Sequence, residues 1–150
     1  MEGRYRSPDS RLEGLLGLKR VRIFLDSCIV IYLVEGQTEL RAAIRTAINQ
    51  SPADDLCVND LVRMECRIGP LRAQNQHILD RFDDFFQTVD LLPITSGIFD
   101  LAATLCATHG LKTPDGIHLA TALYYNCGEF WTNDADLERM ADRIPIRLLP

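Results

Sequence analysis

Short apolar runs recur along the chain at 21–25, 56–58, 91–94, 129–132 and 144–148. Between them lie longer segments whose apolar residues repeat every three or four positions. Runs this short suit strands buried on both faces, and the intervening period suits amphipathic helices. Parallel strands need long crossovers, and right-handed crossovers put helices on both faces of a sheet. The expected fold class is therefore α/β, a three-layer α/β/α sandwich with a central parallel sheet of about five strands.

A chain of 150 residues suits one domain with a sizeable core. That domain is expected over 21–150, preceded by an arm at 1–20 that holds three glycines and at most a short helix near 12–18. Helices are expected over 27–34 and, capped by Thr38, along the Leu40, Ile44, Ala47 and Ile48 face. A third should run from Asn59 or Asp60 to Ile68 and end at Gly69-Pro70, with 51–55 as a loop before it. Further helices are expected over 73–89, from Thr95 or Ser96 to Gly110, and from Thr113, as cap, to Asn126.

No apolar run reaches the ~20 residues of a membrane span, and the polar N-terminus does not read as a signal peptide. Five scattered cysteines without a CxxC pair read as small buried hydrophobes in a reducing cytoplasm. The net charge of −5 is unusual for a nucleic-acid binder. Such a chain must concentrate its carboxylates, bring in cations, or avoid nucleic acid.

The carboxylates are where apolar sequence should be. In RIFLDSCIV, Asp26 ends the first strand and apolar residues resume at Cys28. Ligand sites in open parallel sheets form beyond the carboxyl ends of the strands, so Asp26 is well placed for chemistry, though helix capping alone accounts for it equally well. Glu65 shares a helical face with Leu61, Val62 and Ile68, which should turn it towards the core. Asp115, in LKTPDGIHLATAL, stands in a first helical turn, where the dipole alone favours an acid. Asp134 follows the fourth strand in FWTNDADLERM, beside Thr132 and Asn133, and could simply cap. His118 reads as an orienting or structural group. Gathered at one sheet edge, four such acids would repel one another unless divalent cations lay between them, and hard oxygen donors suit Mg²⁺ or Mn²⁺.

Taken in order, IFLDSCIVIYLVEG, NDLVRMECRIGP, LKTPDGIHLATAL and FWTNDADLERM resemble the motifs of PIN-domain ribonucleases, and within them the VapC-type toxins of type II toxin–antitoxin systems. The resemblance covers 21–150. By motif, Asp26, Glu65, Asp115 and Asp134 match the family's four acids in that order. It implies a Mg²⁺- or Mn²⁺-dependent endoribonuclease, a homodimer, and a cognate antitoxin whose basic tail occupies the acidic groove of a toxin–antitoxin hetero-oligomer. It implies Asp26, Asp115 and Asp134 as metal ligands. Glu65 would ligate directly or through water, or help deprotonate the nucleophile, at a site of one metal or two. Ser27, Thr132 and Asn133 would orient the carboxylates. Arg63, Arg67, Arg72 and Arg81 are candidates for holding RNA phosphates, and a structured loop of transfer or ribosomal RNA is the expected substrate. The arm at 1–20 departs from toxins of this type, which commonly begin close to the first strand.

Rival readings fit less well. Phosphate transfer through an aspartyl intermediate wants a second acid where Cys28 stands. A receiver-like domain wants a late lysine, and the chain has only Lys19 and Lys112. A dinucleotide-binding fold wants GxGxxG after the first strand. A catalytically silent PIN-fold binding module is the alternative that keeps the same helices.

Overall fold

The computed structural model describes residues 20–50 and 55–150. The expected arm, apart from Arg20, and the expected loop, apart from Asp55, lie outside the described residues.

The sheet has five parallel strands, β1 (Arg22–Leu25), β2 (Asp55–Asn59), β3 (Asp90–Leu92), β4 (Glu129–Thr132) and β5 (Ile146–Leu148). Helices α1 (Ser27–Glu35) and α2 (Thr38–Asn49) lead from β1 to β2. Helices α3 (Asp60–Arg72) and α4 (Gln76–Phe86) lead to β3, α5 (Ser96–His109) and α6 (Thr113–Tyr124) lead to β4, and a 3-10 helix (Ala135–Met140) leads to β5. The strand order is β3-β2-β1-β4-β5. The chain thus winds outward from β1 and then returns to β1's other side, which makes the gap between β1 and β4 the topological switch point.

Both faces of the central strands are covered, as a parallel sheet requires: Ile23, Phe24 and Leu25 on β1 and Phe130, Trp131 and Thr132 on β4 are fully buried. The Phe24 and Phe130 rings stack across the two strands, 5.4 Å apart. All five cysteines are free thiols, and Cys57, Cys66 and Cys127 are buried as small core residues. No helix among the described residues is long and apolar enough to cross a membrane.

Local chemistry sets most element ends. Asn59, Asn75 and Thr95 cap α3, α4 and α5 by accepting from Val62, Ile78 and Ile98 amides. Gly110 ends α5 at φ 63°, a conformation other residues adopt only with strain. Thr38 and Thr113 are first helical residues rather than caps; Gln37 and Lys112 hold the cap positions without a side-chain bond.

The third helix departs from expectation. It runs through Gly69 and Pro70 to Arg72, and its buried line is Val62, Cys66 and Pro70. Pro70 loses one backbone hydrogen bond but packs its ring inward, so it acts as a core residue near the helix end. Ile68, expected inward, is 41% exposed. The turn at Ala73–Asn75, with Gln74 at φ 52°, delays α4, which is shorter than 73–89, and Val89 lies beyond it. Pro93 cannot donate to a ladder and ends β3 before Ile94, and Pro145 likewise precedes β5.

Candidate active site

Asp26 extends the ladder one residue past β1: its N–H donates to the Trp131 carbonyl at 2.9 Å. Its side chain then faces two ways. Oδ1 accepts from the Ser27 N–H at 2.8 Å, capping α1, and Oδ2 accepts from the Thr132 hydroxyl at 2.7 Å. Capping and site placement are therefore both realised by one carboxylate at the switch point. Ser27 contributes its backbone amide to this contact.

Asp134 caps the 3-10 helix, its Oδ1 accepting from the Asp136 N–H at 2.9 Å. Its own N–H donates to Thr132 Oγ1 at 3.1 Å. The Thr132 hydroxyl, fully buried, thus links the two acids on either side of the switch point. Asn133 donates from its amide side chain to the Tyr32 hydroxyl at 3.1 Å and from its backbone N–H to Cys28 Sγ at 3.4 Å. Burial, reinforced by the Asp26 charge, pushes the Cys28 thiol up to about 11, so it is a neutral neighbour at ordinary pH.

Asp115 sits in the first turn of α6 and is half-buried. Burial is the main cause that raises its pKa, and the negative charges of Asp26 and Asp134 add to it. Asp26, Asp115 and Asp134 therefore form one electrostatic cluster.

Glu65 is placed differently from expectation. Because the buried line of α3 passes through Cys66, Glu65 stands on the flank of the helix, its side chain 28% exposed. It reaches α6, where its Oε1 lies 2.5 Å from His118 Nε2. His118 also lies 4.0 Å from Asp26 Oδ1.

Among the described residues, no three His, Cys, Asp or Glu side chains converge in a group that would hold a metal ion. The donor chemistry does fit a hard divalent cation: the negative charges of Asp26 and Asp134 raise the proton affinity of Asp115, and a cation would relieve that repulsion. Asp26, Asp115 and Asp134 are the residues suited to it, with Glu65 engaged by His118.

The four arginines are not one patch. Arg63 and Arg72 are exposed on α3, whereas Arg67 is paired with Asp83 of α4. Arg81 lines an open cavity near the far end of α1 with Leu33, Val34, Arg45, Ile48, Asp84 and Phe85. Sequence reasoning missed Tyr32 and Cys28 as neighbours of the site. Both lie on α1, four residues apart and so on one helical face, but nothing local distinguishes them from core residues.

A family model described as PIN domain matches residues 23–143. No curated protein matches the chain. Among solved structures, VapBC2 from Rickettsia felis bound to a DNA fragment from their promoter superimposes with a TM-score of 0.73 at 12% identity, over 86% of this chain and 99% of that one. A toxin–antitoxin complex from Klebsiella pneumoniae gives 0.67 at 22% identity, over 83% and 95%. FitAcB from Neisseria gonorrhoeae gives 0.61 at 20% identity, over 83% and 95%. At these identities the likeness is one of fold. The family match spans most of the chain, from β1 past the 3-10 helix, and the chain belongs to the PIN domain family.

Proposed function

We propose that the chain is a VapC-type toxin, a Mg²⁺- or Mn²⁺-dependent endoribonuclease that cuts a structured RNA loop. The observation that carries this reading is the acid cluster at the switch point, where Asp26 and Asp134 are tied through Thr132 and both act on Asp115. A bound Mg²⁺ or Mn²⁺ supplies charge neutralisation at the scissile phosphate and lowers the pKa of water.

The chain's own residues do the rest. Asp26, Asp115 and Asp134 would hold the cation. Thr132 fixes the Asp26 carboxylate by donating to it, and Asn133 and Ser27 fix the backbone around it. Exposed Arg63 and Arg72 would meet RNA phosphates, while Arg67 serves the α3–α4 pairing first.

The partner reading follows from charge. An acidic crevice attracts an Arg- or Lys-bearing tail, which would block RNA and compete with the cation. The likenesses to toxin–antitoxin complexes support a cognate antitoxin. The proposed assembly is a homodimer of this chain inside a hetero-oligomer. A silent binding module remains the second reading, favoured by the unconverged donors.

The test is cleavage of total cellular RNA by purified protein with Mn²⁺ or Mg²⁺, with chelator, and with Asp26→Asn. Discrete metal-dependent fragments that the variant fails to make support the nuclease. A folded, antitoxin-free protein that cuts nothing supports the binding module. Cleavage retained by the variant would place the activity elsewhere.

A further inference from the structure

His118 is the most buried ionisable side chain at the site, 1% exposed, and the carboxylate reading gives it no task. It stands three residues after Asp115 on α6. Of the two carboxylates within 4.0 Å among the described residues, only Glu65, at 2.5 Å, is within hydrogen-bond distance; Asp26 is 4.0 Å away. Nδ1 is buried and has no hydrogen-bond partner among the described residues. A buried N–H with no acceptor is costly, whereas a lone pair is less so, which puts the proton on Nε2, donated to Glu65. Phe24 walls the ring, with centroids 5.9 Å apart.

The same seam carries a second polar tie. Three residues further along α6, Thr121 accepts from Asn59 Nδ2 at 2.9 Å, and both side chains are fully buried. Asn59 is the cap of α3. Helix α3 is thus tied to α6 at its start and again at Glu65. A glutamate on a half-exposed flank has several free torsions, and the histidine removes that freedom.

We propose that His118 is a positioning residue that holds Glu65 against α6 through Nε2–H···Oε1, keeping Glu65 out of the inner shell of a cation bound by Asp26, Asp115 and Asp134. The cation half of this inference rests on the nuclease reading above; the His118–Glu65 half belongs to the metal-free protein.

The experiment has two arms. The first records ring ¹⁵N shifts of His118 in metal-free protein, wild type and Glu65→Gln. The expected result is the Nε2–H tautomer, with shifts that move in the variant. An Nδ1–H tautomer, or shifts indifferent to Glu65→Gln, would overturn the pairing. The second titrates Mn²⁺ calorimetrically. Glu65→Gln should weaken binding by no more than about threefold and Asp115→Asn by about tenfold or more. Equal losses would overturn the placement of Glu65. In RNA cleavage, His118→Leu should lower kcat with KM unchanged, and His118→Gln, which keeps a donor, should restore most of it. A folded His118→Gln as poor as His118→Leu counts against positioning. Should His118→Leu not fold, Glu65→Gln and the ring nitrogens decide. A wild type that binds no Mn²⁺ sinks the cation reading, and the first arm then judges the pair alone.

Discussion

The Thr132 hydroxyl donates to Asp26 Oδ2 at 2.7 Å and accepts from the Asp134 N–H at 3.1 Å, joining the ends of β1 and β4 through one buried side chain. Both strand ends are held at the place where the sheet reverses its winding. Thr132→Val keeps the shape and removes both bonds. Asp26 is 7% exposed, so it would lose a donor with little water to replace it. The expected cost is about 1–3 kcal/mol in denaturant unfolding, with RNA cleavage down by about 10–100-fold. Thr132→Ser should recover most of both. A Val variant with full activity would show that the hydroxyl does not orient Asp26.

Asp115 gives a prediction whose sign depends on the cation. Its pKa is raised in the folded protein, by burial first and by Asp26 and Asp134 next. The native state therefore binds this proton more tightly than the unfolded chain. Its contribution is favourable below the ordinary carboxylate pKa and is lost as pH rises through the raised folded value. In chelator at pH 7, Asp115→Asn should be the more stable protein, by under about 1 kcal/mol given its partial exposure, or roughly 1–4 °C in Tm. Near pH 4 the gain should shrink. Added Mn²⁺ should reverse the order, raising the Tm of wild type more than that of the variant. Thermal scans with and without Mn²⁺ check all three.

Gly116, next to Asp115, lies where α5 and α6 are in close contact. A Cβ there would lie 2.3 Å from Cys106 Sγ and 3.3 Å from the Ala102 carbonyl. The sulfur can rotate away, but the carbonyl is backbone. Gly116→Ala should destabilise by about 1–3 kcal/mol and reduce cleavage by shifting Asp115. Adding Cys106→Ala should recover part of the stability, and no loss in the single variant would mean the helices separate freely.

Strand positions were readable because buried parallel strands are short and rich in apolar residues, and β4, centred on Phe130 and Trp131, spans the expected 129–132. The switch point was legible only in part: Asp26 and Asp134 could be placed at strand ends, but strand order is set by packing between distant segments. Helix α3 was misjudged for a physical reason. Gly69-Pro70 is a stop signal in isolation, yet a buried proline ring can compensate for one missing backbone bond. The face was a separate misreading: spacing with Leu61 and Val62 turned Glu65 and Ile68 towards the core, when the buried line is Val62, Cys66 and Pro70. The His118–Glu65 contact joins residues 53 positions apart, and no local pattern encodes such a pairing.

Asn59 connects these features, and it supplies the last prediction. Its Oδ1 accepts from the Val62 N–H at 2.9 Å, starting α3, and its Nδ2 donates to Thr121 Oγ1 at 2.9 Å, setting α3 against α6. Asn59→Ala removes a cap worth about 1 kcal/mol and a buried side-chain bond of similar size, and it leaves a small void. The expected loss is about 2–4 kcal/mol by denaturant unfolding. Asn59→Asp keeps the cap acceptor but gives up the amide donor. It should be intermediate if the two bonds act separately, and as damaging as alanine if a buried charge dominates. Combined with Thr121→Val, Asn59→Ala should show a coupling of about 0.5–1.5 kcal/mol. Strict additivity would mean that α3 takes its register from apolar packing alone, and that the polar seam leading to Glu65 is a consequence of that packing.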